Sequence, residues 1–301
     1  MTPIFQLDAR VLDQAKVAEG SFILSLEAPQ IAERIQPGQF IQIRCVKKEA
    51  GKEFQNDPLL PRPFSIYRVR QKQVLDILYE VVGRGTERMA QAKKGDRLNV
   101  FGPLGDTFSY PAKSEISFLI GGGVGLAPFY DLAEALIDPK RGKQERGDVI
   151  VLLGARNRRK IFCEKEFKAL GVRFEIATDD GSRGFKGFVT GLLEKKLQAT
   201  SNKQQATRIY ACGPKPMLRV ISQISEKFEL PCEISIDAHM PCGYGICFGC
   251  AVKVRVQGTG YRVEKDKKTT LHPTPSTLYP MTYKLACMDG PVFDAKGLVW
   301  E

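Results

Sequence analysis

The stretch Ile116-Ser-Phe-Leu-Ile-Gly-Gly-Gly-Val-Gly-Leu-Ala-Pro128 decides the fold. Five strand-forming residues run without alternation, as in a strand buried on both faces. The glycine-rich turn Gly121, Gly122, Gly123 and Gly125 follows, and the apolar stretch Leu126–Ile137 predicts a helix behind it. A strand, a glycine turn and a helix begin a βαβ unit, in which backbone N–H groups at the helix start bind phosphate. The register does not match G-x-G-x-x-G. The second strand ends in Leu153-Gly-Ala-Arg156 without an acidic residue for a ribose, which disfavours a standard dinucleotide fingerprint.

The same rhythm continues downstream. DVIVLLGA (148–155), VRFEIA (172–177) and TRIYAC (207–212) read as strands. Residues 164–170, 191–197 and 216–228 read as helices between or after them. This alternation predicts a parallel sheet covered by helices. Thr178-Asp179-Asp180-Gly181-Ser182 after the third strand reads either as an Asx turn or as a loop lining the nucleotide cleft.

Upstream the pattern is different. Phe22–Leu26, Phe40–Val46, 73–82 and 98–101 are short β-prone runs punctuated by Pro37-Gly38 and Gly95-Asp96, which predicts an antiparallel barrel or sandwich. Downstream of about residue 229 the chain is rich in Cys and Gly, then in Lys, Thr and Pro. The expected organisation is multi-domain, β followed by α/β: a β-barrel over 1–109, a parallel α/β domain over 110–229 and a small cysteine-bearing module over 230–301. No internal repeat at a period of about 20–50 residues is visible.

Composition limits the function classes. With 43% hydrophobic and 26% charged residues, the 301-residue chain can bury a core, unlike a disordered or collagen-like chain. The N-terminus shows no secretory pattern, and the apolar stretch 118–137 is interrupted by Gly, Pro, Asp and Glu, so no membrane span is expected. A cytoplasmic location follows, in which eight cysteines are not expected to form structural disulfides. The net charge of +11 is dispersed, without basic runs or a nucleic-acid-binding motif. It suits anionic cofactors or an acidic partner better than nucleic acid.

Cys242, Cys247 and Cys250 stand as C-x4-C-x2-C, and Cys287 follows after 36 residues. This is the plant-type ferredoxin spacing for a [2Fe–2S] cluster, whose two irons need four thiolates. Gly243, Gly245 and Gly249 give the loop its tight turns. Zinc remains the alternative ligand of such cysteines. Arg62-Pro63-Phe64-Ser65 and, beyond Leu78-Tyr79-Glu80, Gly83-Arg84-Gly85-Thr86 are weak signals alone: an edge strand with a proline, and a turn before a helix.

Taken together, these segments resemble the ferredoxin-NADP reductase superfamily. In that superfamily an R-x-(Y/F/I/L)-(S/T) strand and a G-x-(G)-(S/T) phosphate loop bind flavin. GGG-x-G-x-(A/T)-P with a late C-G-P motif binds nicotinamide nucleotide. The resemblance implies FAD contacts from Arg62, Pro63, Phe64, Ser65, Leu78, Tyr79, Glu80, Gly83, Gly85 and Thr86. It implies NAD(H) contacts from Gly121, Gly122, Gly123, Gly125, Pro128, Asp179, Asp180, Gly213, Pro214 and Met217, with Cys212 at the nicotinamide.

The order of flavin barrel, nucleotide domain and cysteine module, with TDDGSRGFKGFVT (178–190) and SIDAHMPCGYGICFGC (235–250), is similar to the electron-transfer subunits of class 1B dihydroorotate dehydrogenases. That resemblance implies FAD and one [2Fe–2S] cluster in a subunit for pyrimidine biosynthesis. Its partner is an FMN-containing dihydroorotate dehydrogenase catalytic subunit, two of each in a heterotetramer. Electrons pass from FMN through the cluster to FAD and leave as hydride to NAD⁺. Phe64 replaces the usual flavin-stacking Tyr, and Asp237 replaces a usual Glu. Residues 258–282 are read as an insertion. Two alternatives stay open. One is a flavin and iron–sulfur diaphorase subunit of a ferredoxin:NAD(P)⁺ oxidoreductase, hydrogenase or glutamate synthase. The other is a non-enzymatic zinc- or nucleic-acid-binding module.

Overall fold

A computed structural model describes residues 3–46, 58–110, 116–138, 147–199, 207–255, 262–265, 268–271 and 281–300. The expected 258–282 insertion lies largely outside the described residues.

Seven strands form the first sheet: β1 (Phe5–Ala18), β2 (Ser21–Glu27), β3 (Phe40–Ile43), β4 (Arg62–Ser65), β5 (Arg68–Arg70), β6 (Val74–Glu80) and β7 (Arg97–Leu104). Their order is β4-β3-β7-β1-β2-β6-β5, every pairing is antiparallel, and the sheet curls into a half-barrel. Alternation decides the faces. Ile41 and Ile43 of β3, Leu75 and Ile77 of β6 and Val100 of β7 fill the interior. Helices α1 (Pro29–Ala32) and α2 (Arg84–Met89) lie among these strands in the chain.

The second sheet contains β8 (Ile116–Gly122), β9 (Asp148–Ala155), β10 (Arg173–Thr178), β11 (Phe185–Lys186), β12 (Thr207–Cys212) and β13 (Cys232–Ser235). Between them run α3 (Phe129–Ile137), α4 (Glu164–Ala169), α5 (Val189–Ala199) and α6 (Lys215–Lys227). The helix expected from Leu126 begins later. Gly123–Leu126 form a 3₁₀ turn and Pro128 caps α3. Three further pieces are β14 (Ala251–Arg255) paired with β17 (Met281–Leu285), the hairpin β15 (Arg262–Lys265) with β16 (Lys268–Leu271), and β18 (Val292–Asp294).

The order β11-β10-β9-β8-β12-β13-β18 is parallel except for β18. The chain reverses its direction of travel between β8 and β12. The carboxyl ends of such adjacent strands flank a crevice suited to a ligand. β13 and β18, in the segment assigned from sequence to the cysteine module, are hydrogen-bonded members of this sheet. One apolar core accordingly runs from Phe118 and Ile150 through Ile209 to Cys250 and Cys287.

Ion pairs and buried polar groups join half-barrel and α/β sheet. Lys160 Nζ lies 2.6 Å from Glu80 Oε1 at the end of β6 and donates to the Glu19 carbonyl at 2.8 Å. Buried Asp131 in the first turn of α3 accepts from the Val69 N–H of β5 at 3.1 Å. No helix among the described residues is long and apolar enough to cross a membrane.

Candidate functional site

The crevice between β8 and β12 holds the two motifs read as nucleotide-binding. Gly121 and Cys212 are register partners across the two strands. A Cβ on Gly125 would overlap the Cys212 carbonyl and lie 2.7 Å from Gly213 Cα. One on Gly122 would lie 2.7 Å from both Met217 Sδ and Pro214 Cδ. Gly121 is closed by Leu126 in the same way. The glycine turn and the Cys-Gly-Pro turn are therefore in backbone contact, and only glycine permits that approach. Gly123 differs: its φ is +56° and its would-be Cβ meets nothing within 4 Å. Its bare backbone faces open space from which a phosphate can approach.

Cys212 is buried beside this contact. Burial, then the Asp237 carboxylate, pushes its thiol up to about 12 against bonds from Ser235 and the Gly213 N–H. A buried thiol shifted in this direction is a poor nucleophile. Asp237 follows β13 and is exposed. Close surrounding protein raises its carboxyl, while His239 and Lys215 pull it down.

The 178–187 loop lies at the carboxyl ends of β9 and β10. Asp180 accepts the Ser182 N–H at 2.9 Å, an Asx turn, and bonds from Ser182 hold its carboxyl below the ordinary value. The Asp179 N–H bonds the Ala155 carbonyl at 3.1 Å, and the Arg158 N–H bonds Ser182 Oγ at 2.8 Å. The Asx-turn reading matches this bonding, and the loop lies on the same carboxyl edge of the sheet as the crevice.

On the half-barrel, β4 brings Arg62 against Gly85, whose would-be Cβ is 3.5 Å from the Arg62 Cγ and Nε. The RPFS strand and the GRGT turn thus meet, although about twenty residues separate them. Gly83 has an extended backbone, with a φ of 170°, and nothing within 4 Å of its Cβ direction. Neither conformation nor packing requires glycine there, which leaves open backbone for a ligand.

Five residues expected at the flavin are engaged within the protein, Arg62 only in part: its Nη1 donates to the Leu60 and Pro61 carbonyls at 2.8 and 3.1 Å. Leu78 is buried, and Tyr79 lies in the barrel core, stacked on Phe22 with ring centroids 5.8 Å apart and bonded to Gln14 at 3.2 Å. Strand alternation turns these side chains into packing. Glu80 pairs with Lys160. The Thr86 hydroxyl donates to the Gly83 carbonyl at 2.9 Å and accepts from the N–H groups of Val82 and Gly83. It fixes the turn.

All four cysteines of the ferredoxin-like spacing converge in two pairs. Cys250 and Cys287, both buried, have Sγ atoms 3.3 Å apart. Cys242 and Cys247, nearer the surface, are hydrogen-bonded to each other. Among the described residues no group of three or more His, Cys, Asp or Glu side chains could hold one metal ion. A four-thiolate zinc site needs all its donors around one point, whereas a dinuclear cluster takes two thiolates per iron. The donor set fits the [2Fe–2S] cluster.

The loop also supplies thiolate stabilisation. Burial pushes Cys242 up, but the N–H groups of Cys247, Tyr244 and Ile246 outweigh it and bring the thiol to about 6. Burial, then Cys250, pushes Cys287 up to about 12. Exposed apolar side chains flank Cys247, Ile246 at 70% and Phe248 at 69%, with Tyr244 in the same loop and Met288 against Gly245. The sequence reading passed over these residues. Two large apolar residues flanking a cysteine in a glycine-rich loop, where no core is available to them, were the signal.

Residues 119–223 match the family of oxidoreductase NAD-binding domains. The whole chain is 37% identical over 302 residues to the dihydroorotate dehydrogenase B (NAD(+)) electron transfer subunit of Desulforamulus reducens, covering 100% of both chains. It is 36% identical over 294 residues to that of Geobacillus kaustophilus, covering 96% of each. Among solved structures, an NADH-dependent reduced ferredoxin-NADP oxidoreductase aligns with a TM-score of 0.74 at 26% identity, over 98% of this chain and 90% of that one. A cytochrome P450 reductase from Amycolatopsis shares the fold, with a TM-score of 0.61 at 22% identity over 76% and 68%. Full-length identity, the interlocked glycine and Cys-Gly-Pro turns and the paired cysteines agree: the chain belongs to the family of dihydroorotate dehydrogenase B (NAD(+)) electron transfer subunits.

Proposed function

We propose that this protein is the electron-transfer subunit of an NAD⁺-dependent dihydroorotate dehydrogenase of pyrimidine biosynthesis, working in the cytoplasm beside an FMN-containing catalytic subunit. The observation that carries this reading is the pairing of the four cysteines under an exposed apolar surface, on a chain that also brings the two flavin and two nucleotide motifs together. When bound, FAD and the [2Fe–2S] cluster supply transfer of single electrons from the partner's side and of a hydride to NAD⁺.

The chain's own residues hold and orient these groups. Arg62 and the backbone of Gly83 and Gly85 receive the FAD pyrophosphate, with Phe64 and Ser65 further along the same strand β4. Gly123 offers its backbone to the NAD(H) phosphates. The Gly122, Gly213, Pro214 and Met217 packing fixes the floor beneath the nicotinamide, and Cys212 contacts it as a buried thiol. Asp179 and Asp180 border the ribose side. Cys242, Cys247, Cys250 and Cys287 ligate the cluster, and loop N–H groups hydrogen-bond the sulfurs and tune it. In this division the half-barrel serves FAD, the α/β sheet serves NAD(H), and the segment around the cysteines serves the cluster.

Ile246 and Phe248 give the catalytic subunit an apolar anchor beside the outer cysteine pair. Exposed aromatic and aliphatic side chains in one patch mark such a contact. The test is purification from the native host. The protein should carry flavin and iron–sulfur absorbance and bring down an FMN dihydroorotate dehydrogenase subunit. A colourless protein, or one without that partner, would exclude the assignment.

A further inference from the structure

Gln42 occupies the middle of β3, where its neighbours Ile41 and Ile43 point into the barrel interior. Period-two alternation turns Gln42 to the opposite face. It is only 1% exposed. Its register partner on one side is Pro63 of the flavin-motif strand. On the other side it pairs with Phe101 of β7, whose ring meets Tyr244 of the cysteine loop edge-on at 5.4 Å. The side-chain amide reaches the same loop. Nε2 donates to the Met240 carbonyl at 2.5 Å. That carbonyl only accepts, so the amide orientation is fixed. Gly243, with φ +83°, sits directly on this side chain: its would-be Cβ is 2.9 Å from Gln42 Cγ.

One residue therefore joins the two: its backbone pairs with the flavin-motif strand, and its buried side chain packs on the cysteine loop. Its other end, Oε1, is buried and meets no donor among the described residues. A buried acceptor without a partner is rare where only packing is at stake, because desolvation is not offset. An apolar residue would fill the position at lower cost.

We infer that Gln42 is a positioning residue that fixes the cysteine loop against the flavin-binding strand and so sets how fast electrons cross between FAD and the cluster. It touches neither reacting group itself. The inference rests on the proposed function, and the test separates the two. Gln42→Leu keeps the volume and removes both polar ends. Gln42→Asn keeps the amide and shortens its reach, and it serves if the leucine variant does not fold. In each, flavin and iron content are measured, then FAD reduction by NADH and cluster reduction are followed separately by stopped-flow absorbance.

The expected result is full flavin and iron content, FAD reduction at the wild-type rate, and cluster reduction slowed about tenfold or more, the scale of outer-shell effects at metal sites. Wild-type cluster reduction in a variant holding both cofactors would overturn the inference. So would loss of FAD from both variants, which would make Gln42 a residue of barrel stability. If the wild-type protein itself lacks flavin or iron, the proposed function fails instead.

Discussion

Gly125 and Cys212 lie in backbone contact, although 86 residues separate them in the chain. The Cβ direction of Gly125 points straight at the Cys212 carbonyl. Gly125→Ala must therefore push the glycine turn away from the Cys-Gly-Pro turn. Overpacking of this kind costs about 1–3 kcal/mol. The expected outcome is a lower unfolding midpoint and a raised KM for NADH, with flavin content unchanged. Denaturant unfolding and steady-state kinetics with an artificial electron acceptor check both. Gly123→Ala is the counterpart: space is open there, so its cost comes from the left-handed backbone alone, about 1–2 kcal/mol.

Cys242 provides a pH signature in the iron-free protein. Its thiol is lowered from 9.0 to about 6, whereas Cys287 is raised to about 12. Alkylation of Cys242 should rise through a midpoint near pH 6, while Cys287 stays unreactive at neutral pH. Mass spectrometry of the alkylated peptides reads this directly. The sign for stability follows from linkage. The folded value lies below the unfolded one, so the thiolate's stabilisation of the loop is complete above the ordinary thiol range and is lost as pH falls through about 6.

Cys247→Ser removes the exposed member of the outer pair. Iron content should fall sharply while FAD remains bound, because the flavin motifs lie on the half-barrel. Iron analysis and the visible spectrum check it. Loss of both cofactors together would contradict the division of labour proposed for the chain.

Phe248→Ser and Ile246→Ser should weaken binding of the catalytic subunit, each by about 1–3 kcal/mol if it anchors the contact. NADH oxidation with an artificial acceptor should not change. Calorimetric titration with the catalytic subunit measures the first, and a diaphorase assay the second.

The Lys160–Glu80 bridge joins the two sheets across partly exposed side chains. Solvent screening limits its contribution to about 0–1 kcal/mol. A double-mutant cycle with Lys160→Met and Glu80→Gln should give a coupling in that range that shrinks in high salt.

Much of this architecture was legible in the residues. Strands such as Ile116–Ile120 and Asp148–Ala155 are continuous apolar runs, and buried parallel strands have no other pattern. The glycine turn, Cys212-Gly213-Pro214 and the four cysteines were legible because close approach and metal ligation tolerate few residue types. The 14-residue β1 was not read, because its pairing register shifts between Val11 and Asp13 and again between Lys16 and Ala18. A shift reverses the in–out phase, so the alternation breaks within one strand. β13 and β18 are too short, at four and three residues, to carry periodicity, and only the fold reveals that they extend the α/β sheet. Gln42 was invisible for another reason. In Phe40-Ile-Gln-Ile43 it reads as the solvent side of a half-buried strand, and the cysteine loop that buries it is 198 residues away.

The most direct test of the central claim is reconstitution with the FMN-containing catalytic subunit from the same host. NADH formation from dihydroorotate and NAD⁺ is measured with and without this chain. NAD⁺ should be reduced only when both subunits are present, and Cys247→Ser should abolish the reaction. NADH formation by the catalytic subunit alone, or none by the assembled pair carrying its cofactors, would contradict it.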